Sequence, residues 1–127
     1  GFYFHLEPPR LMLGAGIYNF PKPLLNVYRK SVVDEEYGEE LIDIIEKIKK
    51  NSRFNIGRKH YKKIPLGYDS EHSNSELLLY NALYVSFETQ IPEELFSAAL
   101  LDYCLKIFTE FNPLHEWLLA MTRRTAF

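Results

Sequence analysis

Gly1-Phe2-Tyr3-Phe4-His5-Leu6-Glu7-Pro8-Pro9-Arg10-Leu11-Met12-Leu13-Gly14-Ala15-Gly16-Ile17-Tyr18 is the stretch that decides the fold. Phe2, Phe4 and Leu6 alternate with Tyr3, His5 and Glu7, the period of a strand with two unlike faces. Pro8-Pro9 breaks the run, and a second strand follows over about Leu11 to Tyr18. Two strands joined so closely predict a hairpin, which makes at least part of the sheet antiparallel. Gly14-Ala15-Gly16 leaves the second strand almost bare, and glycine inside a strand marks a bulge or the close approach of a backbone or ligand. The chain enters its first strand directly after Gly1, with no initiator methionine. It is therefore expected to be a single α+β domain over residues 1–127 that lacks an N-terminal portion.

Outward from the hairpin the period changes. Leu24, Leu25, Tyr28 and Val32 form the apolar stripe of a helix over about Lys22 to Val33, entered through Pro21 and Pro23, with Arg29 at the edge of the stripe. A second helix is predicted from Tyr37 to Lys50. Acids fill its first half and Lys47, Lys49 and Lys50 close it, which matches the helix dipole. Phe54 to Ile64 reads as extended chain. Ser73-Asn74-Ser75-Glu76 fits a capping box for a short helix over Asn74 to Tyr80. Leu83, Val85 and Phe87 alternate with Tyr84, Ser86 and Glu88 as a strand. Pro92 suits the start of a long helix ending near Glu110. Its residues are apolar nearly all round, so a central position is expected, with Cys104 as inert packing. Asn112-Pro113 then looks like the cap and first residue of a separate last helix. The predicted order is ββααβαβαα or ββααββαβαα, with helices covering a partly antiparallel sheet.

Composition narrows the function classes. The 127 residues carry a net charge of −2, are 46% hydrophobic and hold one cysteine. A disordered chain is excluded, as are a disulfide framework and a multi-cysteine zinc site. No apolar run approaches the roughly 18 residues of a membrane span, and nothing resembles a secretory signal, so a cytoplasmic location is expected. P-loop, nucleophile-elbow and dinucleotide fingerprints are all missing. The four histidines form no ligand spacing, so neither a metal nor a cofactor is expected.

Two segments carry chemistry. Asp34 to Glu46 holds seven acids and no base, whereas Lys47 to Lys63 holds eight bases and no acid, interleaved with Phe54 and Tyr61. Such a mixture can bind polyanions. The plainer reading is a solvated helix end and a lysine-blunted edge strand, and the slightly negative net charge argues against a dedicated nucleic-acid binder. The second segment is Lys63-Ile64-Pro65-Leu66-Gly67-Tyr68-Asp69-Ser70-Glu71-His72. It crowds Lys63, Tyr68, Asp69 and His72 onto a Pro/Gly loop ahead of a helix start, where free amides favour an anion. Its plainer reading is a capped loop in which Asp69 satisfies backbone N–H groups.

Gly1-Phe2-Tyr3-Phe4-His5, Gly14-Ala15-Gly16-Ile17-Tyr18 with Pro21, Tyr28-Arg29, the Lys63-to-Asp69 segment, His72 and Glu76-Leu77-Leu78 occur in an order that resembles the domain-of-unknown-function 2461 family. Lys-x-Pro-x-Gly-Tyr-Asp is the most specific part. Ser73 follows His72 where that family commonly has proline. The resemblance implies one bacterial-type α+β unit with further chain upstream, and it carries no activity.

Three functions follow in order. The first is a binding module in which Arg29, Lys63, Tyr68 and His72 line a cleft with Gly14 and Gly16 and accept an anionic small molecule or phosphate-bearing partner. The second is an enzyme with His72 as acid/base, Asp69 orienting it and Tyr68 as proton donor. The third is a structural or interaction domain with no small ligand. A membrane partner is not expected.

Overall fold

The hairpin forms as predicted. In a computed structural model that describes residues 1–91 and 98–124, strand β1 (Phe2–Glu7) turns at Pro8-Pro9 into β2 (Arg10–Ile17), and the two pair antiparallel from Phe2–Ala15 to Glu7–Arg10. Helices α1 (Lys22–Val33) and α2 (Glu35–Lys49) follow, then β3 (Asn55–Lys59), a 3₁₀ turn at Ser75–Leu79, β4 (Tyr80–Gln90) and α3 (Ala98–Thr122). The sheet order is β1-β2-β4-β3, all neighbours antiparallel.

Register sorts the side chains. Leu11, Leu13 and Ala15 of β2 stand beside Thr89, Phe87 and Val85 of β4, and the apolar members of this set meet Leu25, Tyr28, Val32, Leu41, Ile45 and Ile48 of the first two helices in one core. Phe111, Leu114, Trp117, Leu118 and Met121 of α3 complete it. The helices therefore cover one face of the sheet, a two-layer α+β arrangement. Burial of this much aliphatic and aromatic surface, at roughly 25 cal/mol per Å² of apolar area, is the main stabilising contribution.

A few buried hydrogen bonds fix how the helices sit. Tyr28 Oη donates to the Leu77 carbonyl at 2.8 Å, tying α1 to the 3₁₀ turn, and its hydroxyl pKa is driven well above the ordinary value by burial. Trp117 Nε1 donates to the Tyr37 carbonyl at 3.0 Å, joining α3 to α2. Asp34 ends α1 and caps α2 by accepting from the Tyr37 N–H at 2.9 Å.

Three expectations change. The last two helices are one. α3 passes through Pro113 because Ile107, Phe111, Leu114, Leu118 and Met121 keep a single inward stripe across it. Pro113 lies on the exposed side, so the carbonyl that loses its donor faces water. The predicted start at Pro92 lies outside the described residues. Nor is the long helix central: Leu101 is 62% and Leu105 53% exposed, because in a two-layer fold every helix keeps an outer face. The capping box does not form either. Asn74 precedes the 3₁₀ turn without a side-chain cap, and Glu76 reaches out to Lys59 instead. The face of β1 that carries Phe2, Phe4 and Leu6 is the helix side, but Phe4 stays 51% exposed at the sheet edge.

Candidate functional site

Among the predicted site residues, His72 and Gly14 line two different grooves. Arg29 sits on α1 with its guanidinium carbon 5.1 Å from the centre of the Tyr61 ring. Tyr61 is held there by backbone bonds, since the N–H groups of His60 and Tyr61 both donate to the Leu79 carbonyl, at 2.9 and 2.8 Å. The segment after β3 is thus pinned across the start of β4, and Arg58, His60, Lys62 and Lys63 flank Tyr61 along it. Among the described residues, Arg29 Nε is buried without a hydrogen-bond partner, and so is Asn81 Oδ1 near the start of β4. A buried donor left unmade costs about 1–3 kcal/mol, so such a group calls for an explanation beyond packing.

The loop ahead of the 3₁₀ turn is built from its own backbone. Tyr68 N–H donates to the Pro65 carbonyl at 3.3 Å, and Gly67 supplies a φ of +88° that other residues rarely adopt. Asp69 Oδ1 accepts from the Glu71 N–H at 2.9 Å, the capping role foreseen for it. His72 Nδ1 accepts from the Asn74 N–H at 3.0 Å, which places the ring proton on Nε2. Asn74 Nδ2 in turn donates to the Val32 carbonyl at 3.1 Å, fastening the loop to the end of α1. A side-chain hydrogen bond between Asp69 and His72, which would orient an acid/base histidine, is not made among the described residues; each instead accepts a nearby backbone N–H. Lys63 is exposed and Tyr68 packs its ring partly against the core.

His72 faces a different environment from Arg29. It lines a groove of about 750 Å³ with Asp34, Glu35, Glu39, Asp43, Glu46 and Asn74. The acids recur at helical spacing along α2, a periodicity visible in the sequence but read there only as dipole matching. An anion at His72 would meet this negative field. Gly14 lines another groove, on the sheet face turned from the helices, beside Tyr3, Tyr18 and Tyr84. Gly16 serves the backbone: at φ +140°, a Cβ there would fall 2.3 Å from the Leu83 carbonyl oxygen. That is the close backbone approach that the glycine pair predicted. The partnership of Arg29 with Tyr61 and the orphaned Asn81 oxygen left no mark in the sequence pattern. No group of three or more His, Cys, Asp or Glu side chains among the described residues is arranged to hold a metal ion. No described helix is long and apolar enough to cross a membrane.

Fold and site together define a two-layer α+β chain in which an arginine over the Tyr61 ring keeps, among the described residues, a buried Nε without a hydrogen-bond partner beside a basic segment. A family model described as a conserved hypothetical protein (DUF2461) matches residues 1–117, and the chain belongs to that family. No curated protein and no solved structure matches it.

Proposed function

We propose that this chain is a binding module for an anionic small molecule or a phosphate-bearing partner, anchored on Arg29. The observation that carries the reading is the buried Arg29 Nε without a partner. Nε itself is closed to solvent, so the donors that would meet carboxylate or phosphate oxygens are the terminal nitrogens of this guanidinium, which lies over the Tyr61 ring. Support comes from the segment beside it. Lys59 is tied to Glu76, but Arg58, Lys62 and Lys63 enter no ion pair among the described residues, so the basic run is free to add field at Arg29. Lys63 is the member of the loop that this reading retains with most weight; His72, in the acidic groove, contributes least. Tyr68 serves as a ring packed behind the loop.

The test is a calorimetric titration of the chain with inorganic phosphate at low ionic strength, repeated with Arg29→Met. Loss of a charge-assisted hydrogen bond worth roughly 1.5–3 kcal/mol should weaken binding by about tenfold to a hundredfold. Lys63→Ala should weaken it by less, and His72→Ala should leave it unchanged. Arg29→Met should also match or exceed the parent in stability, because it removes a buried unsatisfied donor. Equal phosphate affinity in Arg29→Met, or no phosphate binding by the parent chain, would overturn the reading.

A further inference from the structure

The sheet face turned away from the helices is covered by none of the described elements and is rich in tyrosine. Tyr3 stands opposite Gly14 across β1 and β2, and Gly14 and Gly16 stand opposite Ser86 and Tyr84 across β2 and β4. Tyr3, Met12, Gly14, Tyr18, Tyr84 and Ser86 enclose a groove of about 330 Å³. Its floor is bare for a steric reason. A Cβ at Gly14 would lie 2.5 Å from Tyr18 Oη, and one at Gly57 would lie 2.8 Å from Tyr84 Oη. The two glycines make room for two rings that lie along the sheet. Those rings stack at 4.6 Å with 27° between their planes. Tyr3 forms the other wall, its centroid 6.3 Å from that of Tyr18 and its plane turned by 62°.

The charges around this groove point to its occupant. None of its lining side chains is formally charged. Strands β1, β2 and β4 hold two carboxylates, Glu7 and Glu88, and one Lys or Arg, which is Arg10; His5 lies beside Glu7. Arg10 is bonded to Glu88, and β3, whose Gly57 lies against Tyr84, adds Arg58 and a Lys59 tied to Glu76. The lining itself offers no charged group to an anion, whereas a cation finds ring faces that are electronegative at their centres. A cation seated between Tyr3 and Tyr18 can lie within the roughly 6 Å of both centroids at which a ring attracts an ammonium. An ammonium with N–H groups would find hydroxyls but no carboxylate in the lining to receive them, while a methylated one has none to satisfy. The volume sits at the low end for small-molecule pockets, roughly 300 Å³ upward, and suits one compact head group.

We propose that this face binds a small quaternary ammonium compound of the choline type, held by Tyr3, Tyr18 and Tyr84 over Met12. The site is separate from Arg29, which lies on the helical side.

Titration calorimetry of the chain with choline, set against its neutral carbon isostere 3,3-dimethylbutan-1-ol, tests it. Choline should bind at least tenfold more tightly than the alcohol. Tyr18→Phe should keep that affinity because the ring remains, whereas Tyr18→Leu should lose tenfold or more. Tyr3→Leu should show the same loss, and because Tyr3 is about half exposed on an edge strand it tests the proposal even where Tyr18→Leu fails to fold. Equal binding of the alcohol would mean apolar burial alone and would overturn the proposal. So would loss of binding in Tyr18→Phe, which would mean recognition through the hydroxyl, as for a sugar. So too would an absence of choline binding up to about 10 mM, weaker than any useful affinity on the scale where 1 mM is about −4 kcal/mol.

Discussion

Replacing Gly16 by alanine should destabilise this protein more than any other single added methyl group in its sheet. Two costs combine. The φ of +140° lies where L side chains are rarely found, and holding a residue in such a region costs roughly 1–3 kcal/mol. The new Cβ would also sit 2.3 Å from the Leu83 carbonyl oxygen and 2.5 Å from the Tyr84 Cα. Both are backbone atoms of the neighbouring strand, so relief requires β2 and β4 to part, a further roughly 1–3 kcal/mol on the scale of overpacked cores. The total of about 2–6 kcal/mol is a large share of the roughly 5–15 kcal/mol that holds a domain folded. Gly67→Ala is the control. Its φ is +88°, but nothing lies within 4 Å of a Cβ there, so it carries only the conformational part, about 1–2 kcal/mol. Urea unfolding read by fluorescence of Trp117, the single tryptophan and almost fully buried, measures both. The clash term of roughly 1–3 kcal/mol separates the two variants, so with a urea slope of roughly 1–3 kcal/mol per M the midpoint of Gly16→Ala should lie below that of Gly67→Ala by about 0.3–3 M. If Gly16→Ala proves no less stable than Gly67→Ala, the clash between strands is not what makes glycine necessary at this position.

Two further outcomes are expected. Glu76 is held below its ordinary carboxylate value by the hydrogen bond from Lys59 and then by that charge, and Lys59 is raised chiefly by the same bond. The depressed carboxyl adds stability above its unfolded value and loses it as pH falls through the folded one. The raised ammonium adds stability below its unfolded value and loses it as pH rises through the folded one. The stability difference between the parent and Glu76→Gln should therefore be level at neutral pH, shrink at both extremes and shrink with added salt; a difference that persists in strong acid would contradict the assignment. Cys104 is buried, with burial raising its thiol pKa, so a thiol reagent should label it far more slowly in native buffer than in urea. Matching rates in the two solvents would show that the thiol is open to solvent.

Much of the fold was legible because local signals and packing agreed. Pro21, Pro23 and the Leu25–Tyr28–Val32 stripe set α1 at the bounds the sequence predicted, and alternation in residues 2–7 gave the face of β1 that turns toward the helices. Where local and tertiary signals disagreed, packing prevailed. Asn112-Pro113 carries the local mark of a helix start, yet the stripe through Phe111 and Leu114 continues the core contact, and the lost N–H falls on the wet side. Ser73 and Glu76 have capping spacing, but Lys59 across the sheet edge draws Glu76 away. The site was less legible. Arg29 could be singled out from its place at the edge of an apolar stripe, but its neighbour Tyr61 depends on a backbone bond between residues far apart in sequence. The tyrosine face was not legible because Tyr3 and Tyr84 share a side only through the register of β1, β2 and β4, and alternation says nothing of the glycines beneath the rings.

The centre of the sheet, where Arg10 pairs with Gln90 and Ile17 with Leu83, joins strands far apart in sequence. Helices α1 and α2, β3 and the whole Lys63–His72 loop hang between those partners as one long closed loop. Contacts of such high sequence separation must be made before they are rewarded, which slows folding. During synthesis the hairpin emerges before β4, and the inner edge of β2 stays unpaired until β4 has left the ribosome. For that interval Leu11, Leu13 and Ala15 present an apolar strand edge to any second chain nearby, so the order of assembly makes the same pairing that completes the sheet its most exposed step.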